Sequence, residues 1–405
     1  MPACEAECTR CGASFPENEV LTVCSRCGGA LLFRYDLGQV KNTVSKDILK
    51  MRSDSFWKFM ELLPISSPES MVSLEEPYTP VLPLQCDKAS GMKNVFMKDD
   101  GRLPTGSFKA RGMAVAVSKL RELGVTRVAV PSAGNAASAL AAYGGRAGFE
   151  VYAFLPKDVP DVILNECIFL DAKVFLVDGL IGDAGAIVAR LASKQGWFNI
   201  STNKQPYRVE GYKAMAYELA EQFRWNPPDS IIFPTGGGEG VIGLWKGFKE
   251  MCELGWTEKM PRLIIVQSAG CAPLVEAFNS GRMEVEKPWE KPNTIADGLK
   301  VPHPFASYLI FRALKETDGM ATAVEDARIL SSMKSLLSAG VYACPEAAAT
   351  LAASEKLQSD GAFEQDENVL LYLTGNATKY FGTVKTRRNQ MPILGRNADS
   401  LEVRG

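Results

Sequence analysis

Lys109 sits in the stretch GRLPTGSFKARGMAVAV (residues 101–117), between a proline-bearing Gly-Ser turn and an apolar run with helical spacing. Pro104, Thr105, Gly106 and Ser107 are turn and cap residues. Met113, Val115, Ala116, Leu120 and Leu123 mark the apolar face of the helix that follows. A lysine in the first turn of a buried helix meets the positive end of the helix dipole and loses solvent, and both lower its pKa. An amine in that state can attack an aldehyde. The same position also suits a lysine that snorkels from a helix start.

Three further loops carry candidate chemistry. IIFPTGGGEGVIG places Gly236, Gly237, Gly238 and Gly240 between a strand and a helix. Backbone N–H groups can approach a phosphate there, and the helix N-terminus favours the anion. No G-K-[ST] follows, and the spacing is not G-x-G-x-x-G, so a plain tight turn fits equally well. Glu239, within the loop, is expected to point away from any phosphate. VPSAGNAAS ends a strand with Ser132 and Asn135 at a helix start, which reads either as a carboxylate or phenolate cradle or as an ordinary cap. LYLTGNATKY ends a strand with Thr374, whose hydroxyl can face a ring nitrogen or bond to backbone.

At the N-terminus, Cys8, Cys11, Cys24 and Cys27 form a C-x2-C-x12-C-x2-C frame. Two such knuckles can present four thiolates to one zinc ion in a closed, structural site, with Cys4 as a substitute ligand. The chain has 405 residues, 46% of them hydrophobic, and a net charge of −2. That balance gives no sign of a polyanion partner, and no nucleic acid is expected. No apolar run has membrane-spanning length, and MPACEAECTRCG carries no signal-peptide pattern, so a cytoplasmic protein is expected. The single histidine, His303, excludes a multi-histidine metal centre and leaves proton chemistry to lysine, a carboxylate or a cofactor.

The elements that must position these residues alternate. RVAVPSAGN, EVYAFLP, AKVFLVDG, DSIIFP, PRLIIVQS and NVLLYLTG read as strands, with helical runs such as DAGAIVARLASKQG and GYKAMAYELAEQF between them. Residues 35–100 read as a mixed lead-in, in which TPVLPL and NVFMKDD are short strands around turns. The alternation implies parallel sheets covered on both faces, with ligands at the carboxyl ends of the strands.

PTGSFKARG, SAGNAA, PTGGGEG and LTGNATKY, in this order, resemble the fold-type II pyridoxal-phosphate enzymes, over about residues 35–390. The resemblance implies a tryptophan synthase β-like fold. It would have a zinc-ribbon-like module (1–34), a large cofactor domain (35–102 and 205–405) and a small mobile domain (103–204). It implies that Lys109 binds the cofactor's aldehyde and shuttles protons, and that Asn135 meets its 3′-oxygen. Gly236, Gly237, Gly238, Glu239 and Gly240 would hold its phosphate, and Thr374 would face the pyridine nitrogen. PYRVEGYKAMAYELAEQ, with Pro206, Arg208, Glu210, Gly211 and Lys213, is similar to the threonine synthase family, as are Lys379 and the Cys-rich appendage. This implies O-phosphohomoserine as substrate, held by Ser132, Asn135, Ala136, Thr202, Asn203 and Arg208, and a homodimer. Ala110, Ala136 and GGGEG depart from the usual synthase pattern, and TIADGLKV (residues 294–301) resembles serine/threonine dehydratases. A dehydratase or β-replacement enzyme is therefore the alternative expectation.

Overall fold

The computed structural model describes residues 4–84 and 94–383; the parts of the expected domains that fall on residues 1–3, 85–93 and 384–405 lie outside the described residues. Three sheets organise the described residues. A small antiparallel sheet has the order β2-β1-β3, from β1 (Cys4–Cys8), β2 (Ser14–Pro16) and β3 (Leu31–Tyr35). Residues 35–80 then form short helices, Leu37–Thr43, Lys46–Lys50 and a 3-10 segment Phe56–Leu62. The two strands expected in this stretch are β4 (Val81–Pro83) and β5 (Asn94–Asp99), which pair antiparallel.

A four-stranded parallel sheet follows: β6 (Arg127–Pro131), β7 (Glu150–Pro156), β8 (Lys173–Val177) and β9 (Phe198–Asn199), in the order β8-β7-β6-β9. The third sheet adds β10 (Ser230–Pro234), β11 (Arg262–Ser268), β12 (Met320–Val324) and β13 (Asn368–Leu373). Its order is β12-β11-β10-β13-β5-β4, parallel except at the β4 edge. β10 and β13 are almost wholly buried because helices cover both faces, which is why they read as unbroken apolar runs.

Close helix packing fixes the centre. The Lys109–Glu122, Tyr207–Gln222 and Glu239–Leu254 helices meet through glycines. A Cβ on Gly211 would stand 2.0 Å from Arg111 O, and one on Gly243 would stand 2.6 Å from Tyr212 Cβ. Only glycine permits those approaches. Beside them lies a buried ion network. Arg111 grips Asp100 at 2.8 Å and Glu218 at 2.7 Å, and Lys98 bonds Glu218 at 2.5 Å. Tyr372 OH and Thr79 Oγ1 each donate to Asp100 at 2.7 Å. Every member is paired, as buried charge requires. The network ties the lysine helix to the ends of β5 and β13.

The N-terminal module is docked on the same frame. Thr9 Oγ1 lies 2.7 Å from Tyr308 OH, and Leu21 N donates to Tyr207 OH at 2.7 Å. Tyr35 OH donates to Glu210 Oε2 at 2.8 Å, and Glu210 pairs with Lys213 at 2.7 Å. Glu210 and Lys213 of the PYRVEGYK stretch are therefore framework residues that join the module to the large sheet's helices.

Candidate active site

The loops singled out by sequence converge at the carboxyl ends of β5, β6, β10 and β13, around one cavity of about 370 Å³. Lys109 is the first residue of its helix. The turn before it is stapled to β13: Phe108 N donates to Thr374 O, and Asn376 N to Gly106 O, each at 2.9 Å. Thr105 and Gly106 turn the chain with φ of 64° and 65°, a conformation that is uncommon for threonine and natural for glycine. Ser107 does not cap the helix; its hydroxyl is buried without a partner.

The Lys109 amine lies over the rings of Phe108 (4.1 Å) and Tyr212 (5.6 Å). Burial first, and then the positive charge of Arg208, lower its pKa to about 8, with Glu239 and Glu346 opposing. Loss of solvent, one of the two expected causes, is the larger one, and the charge of Arg208 stands beside it. Such an amine is partly uncharged near neutrality.

Gly236, Gly237, Gly238 and Gly240 line the cavity beside Lys109 and lead into the Glu239–Leu254 helix. A Cβ on Gly236 would meet Gly298 O at 2.2 Å, and one on Gly237 would meet Thr202 Cγ2 at 2.6 Å. The glycines therefore bring bare backbone N–H groups to a helix N-terminus, a cradle for a phosphate. Asn135 opens the next helix. Its amide donates to Tyr380 OH at 3.0 Å, while its Oδ1 is buried without a partner. The first N–H groups of that helix, on Asn135 and Ala136, have no intrahelical acceptor and belong to the cavity wall. Ser132 serves the turn itself, accepting from Gly134 N (3.1 Å) and Ala137 N (3.2 Å). Thr374 lines the wall with its hydroxyl beside the Cys344 thiol.

Two expectations are corrected. Glu239 does not point outward: it is buried and forms an ion pair with Arg208, Oε2 to Nη2 at 2.6 Å, while its Oε1 accepts from Asn203 N at 2.8 Å. Arg208, in turn, does not stand free to hold a substrate phosphate. Its Nη1 donates to Ile200 O at 2.9 Å, and it is absent from the cavity wall. A buried guanidinium and a buried carboxylate meet because neither is stable alone. Asn203 also faces the loop, its amide donating to Gly237 O at 2.8 Å. Thr202 remains in the wall.

Several wall residues were not anticipated as site residues: Asp297, Glu346, Tyr380, Lys204, Cys344 and His303. Glu346 accepts from Gly298 N at 2.7 Å. Burial, and then Glu346, push the Asp297 carboxyl up to about 7. Asp297 lies in the TIADGLKV stretch, which carried a family signal, whereas Glu346 is a lone acid at an Ala-rich helix start with no signal in sequence.

Away from the cavity, the sulfurs of Cys8, Cys11, Cys24 and Cys27 lie within 4.8 Å of one another, with contacts of 3.4 Å (Cys8–Cys27) and 3.6 Å (Cys11–Cys24). A tetrahedron with metal–sulfur bonds of about 2.3 Å has edges of about 3.8 Å, so the cluster could hold a metal ion. Cys4 is outside it and donates to Glu17 Oε2 at 2.6 Å.

Residues 72–375 match the family described as pyridoxal-phosphate dependent enzyme. The chain is 34% identical over 377 residues to the threonine synthase of Methanocaldococcus jannaschii, covering 92% of each. It is 34% identical over 400 residues to the threonine synthase of Methanosarcina acetivorans, covering 98% of this chain and 97% of the relative. Among solved structures, maize serine racemase superposes with a TM-score of 0.65 at 21% identity, over 74% of this chain and 88% of its own. At that identity the likeness shows the fold. The cavity fits the cofactor in the family's description, because the side-chain-free glycine cradle, the depressed lysine and the orphaned Asn135 oxygen match a phosphate, an aldehyde and a ring hydroxyl. The chain belongs to the fold-type II pyridoxal-phosphate-dependent enzyme family.

Proposed function

We propose that the chain is a threonine synthase, a carbon–oxygen lyase that converts O-phospho-L-homoserine and water to L-threonine and phosphate. The observation that carries this reading is the similarity to curated threonine synthases along nearly the whole of both chains, around a cavity that keeps Lys109. Pyridoxal phosphate, when bound, supplies the electron sink that γ-elimination and β-addition need. Gly236, Gly237, Gly238 and Gly240 would hold its phosphate, Asn135 would meet its 3′-oxygen, and Thr374 would meet its ring nitrogen. Lys109 would hold its aldehyde end, and its amine would serve to move protons at the substrate Cα and Cβ. The Asn135 and Ala136 N–H groups, steadied by Ser132, receive the substrate carboxylate.

The cavity lies between the β6–β9 unit, through Gly182, Gly185 and Ala186, and the glycine cradle of the large sheet. Residues 103–204 close over the substrate in this reading and exclude water until Cβ is ready to accept it. The enzyme works in the cytoplasm as a homodimer; the apolar side chains exposed around β8, Phe169, Phe175 and Leu176, supply an association surface. The four-cysteine cluster holds one structural zinc ion. Metal analysis of protein purified without chelator is expected to find about one zinc per chain. The Cys24→Ser variant should loosen the N-terminal module and leave cofactor binding intact. Metal-free protein with a well-ordered module would contradict the zinc assignment.

One observation favours the dehydratase reading: Arg208 is spent on Glu239. Assay of phosphate release from O-phosphohomoserine, beside keto-acid formation from threonine and serine, separates the two. The synthase releases phosphate and threonine in equal amounts. Keto acid from threonine without phosphate release would establish the dehydratase.

A further inference from the structure

We propose that Lys204 is the residue that recognises the substrate's phosphate group, in place of Arg208. The inference rests on the synthase reading, since only a phosphorylated substrate needs such a group.

A phosphate dianion entering a closed cleft must meet a cation to offset its lost hydration. Among the described residues, the wall of the cavity carries Lys109, Lys204 and His303 as its basic side chains. Lys109 is committed to the cofactor. His303 Nε2 lies 3.1 Å from Val285 O, so that nitrogen is turned to the backbone. The neighbouring cations are taken. Arg208 is paired with Glu239, Lys300 with Asp158 at 3.2 Å, and Lys379 with Glu166 at 2.6 Å.

Lys204 has no carboxylate partner among the described residues; its amine lies 5.5 Å from the centre of the Phe305 ring, itself part of the wall. Its place is also fixed. Asn203, held by Gly237 O and Glu239 and turned with φ of 57°, anchors the strand-to-helix segment over the glycine cradle. Thr202 and Lys204 flank that anchor in the wall. The Arg208–Glu239 pair therefore acts as the brace that holds this segment, and Lys204 acts as the charge that it presents.

The test is equilibrium binding to the holoenzyme, read from the cofactor's absorption. The probes are 2-amino-5-phosphonopentanoate, an amino acid with an uncleavable phosphonate, and 2-aminobutyrate, which lacks the anion. Lys204→Met should weaken the phosphonate at least about 30-fold, as expected for removing the partner of a desolvated charge. It should leave 2-aminobutyrate within a factor of about two, and Lys204→Arg should restore most of the loss. Arg208→Gln should weaken both probes alike, by loosening the cradle. Unchanged phosphonate binding in Lys204→Met, or a selective loss only in Arg208→Gln, would overturn the proposal. This outcome is independent of the product assay, which decides the synthase reading itself.

Discussion

Lys109→Ala is expected to lower kcat/KM by roughly ten-thousand-fold or more, because it removes both the attachment of the cofactor and the group that moves protons at Cα and Cβ. The cavity should survive, since the rest of the lysine turn is held by backbone bonds from Phe108 to Thr374 and from Asn376 to Gly106. Pyridoxal phosphate should then bind to the variant weakly and without covalent trapping by borohydride. In the unaltered chain the uptake of cofactor should quicken as pH rises through about 8. The sign follows from the lowered pKa: the proton is lost earlier than from an ordinary lysine, and the neutral amine is the attacking form. Retained turnover in Lys109→Ala, or uptake that is flat across that pH range, would contradict the assignment.

The second large effect is on stability. Glu218→Ala should cost about 3–5 kcal/mol in urea unfolding, the range for breaking a buried ion pair by removing one partner. Lys98 and Arg111 share that carboxylate, and both are fully buried, so the substitution leaves two cations with less than their complement. Asp100 would still hold Arg111. The control is Lys157→Ala, which removes a surface pair with Asp178 and should change stability by less than about 1 kcal/mol. Equal effects from the two substitutions would show that the buried network adds nothing beyond an exposed pair.

Local grammar made much of this molecule legible. Each strand-end loop that carries the site combines an apolar run with Gly, Ser, Asn or Thr at its end, and that pattern survives without tertiary information. The strands at Arg127–Pro131, Glu150–Pro156 and Ser230–Pro234 lie where the sequence placed them. No element was assigned within residues 35–78, because short helices such as Lys46–Lys50 are too brief for periodicity to distinguish from turns. Side-chain pairing was the least legible part. Arg208 and Glu239 are 31 positions apart, and each looked like a separate functional feature until the fold brought them into contact at 2.6 Å. Lys204 lies in a polar loop with no motif of its own, and only the fold puts it in the cavity wall. His303 stands in an irregular segment without a motif, and that segment forms one side of the cavity.

The most direct test of the account is the fate of oxygen during turnover. The holoenzyme is incubated with O-phosphohomoserine in water enriched in heavy oxygen, and the products are weighed by mass spectrometry. A synthase breaks the Cγ–O bond, so the released phosphate keeps its four original oxygens. It then adds water at Cβ, so threonine gains one labelled hydroxyl oxygen. We expect unlabelled phosphate and singly labelled threonine in equal amounts, with both lost in Lys109→Ala. Labelled phosphate accompanied by homoserine, or keto acid with no threonine, would contradict the central claim.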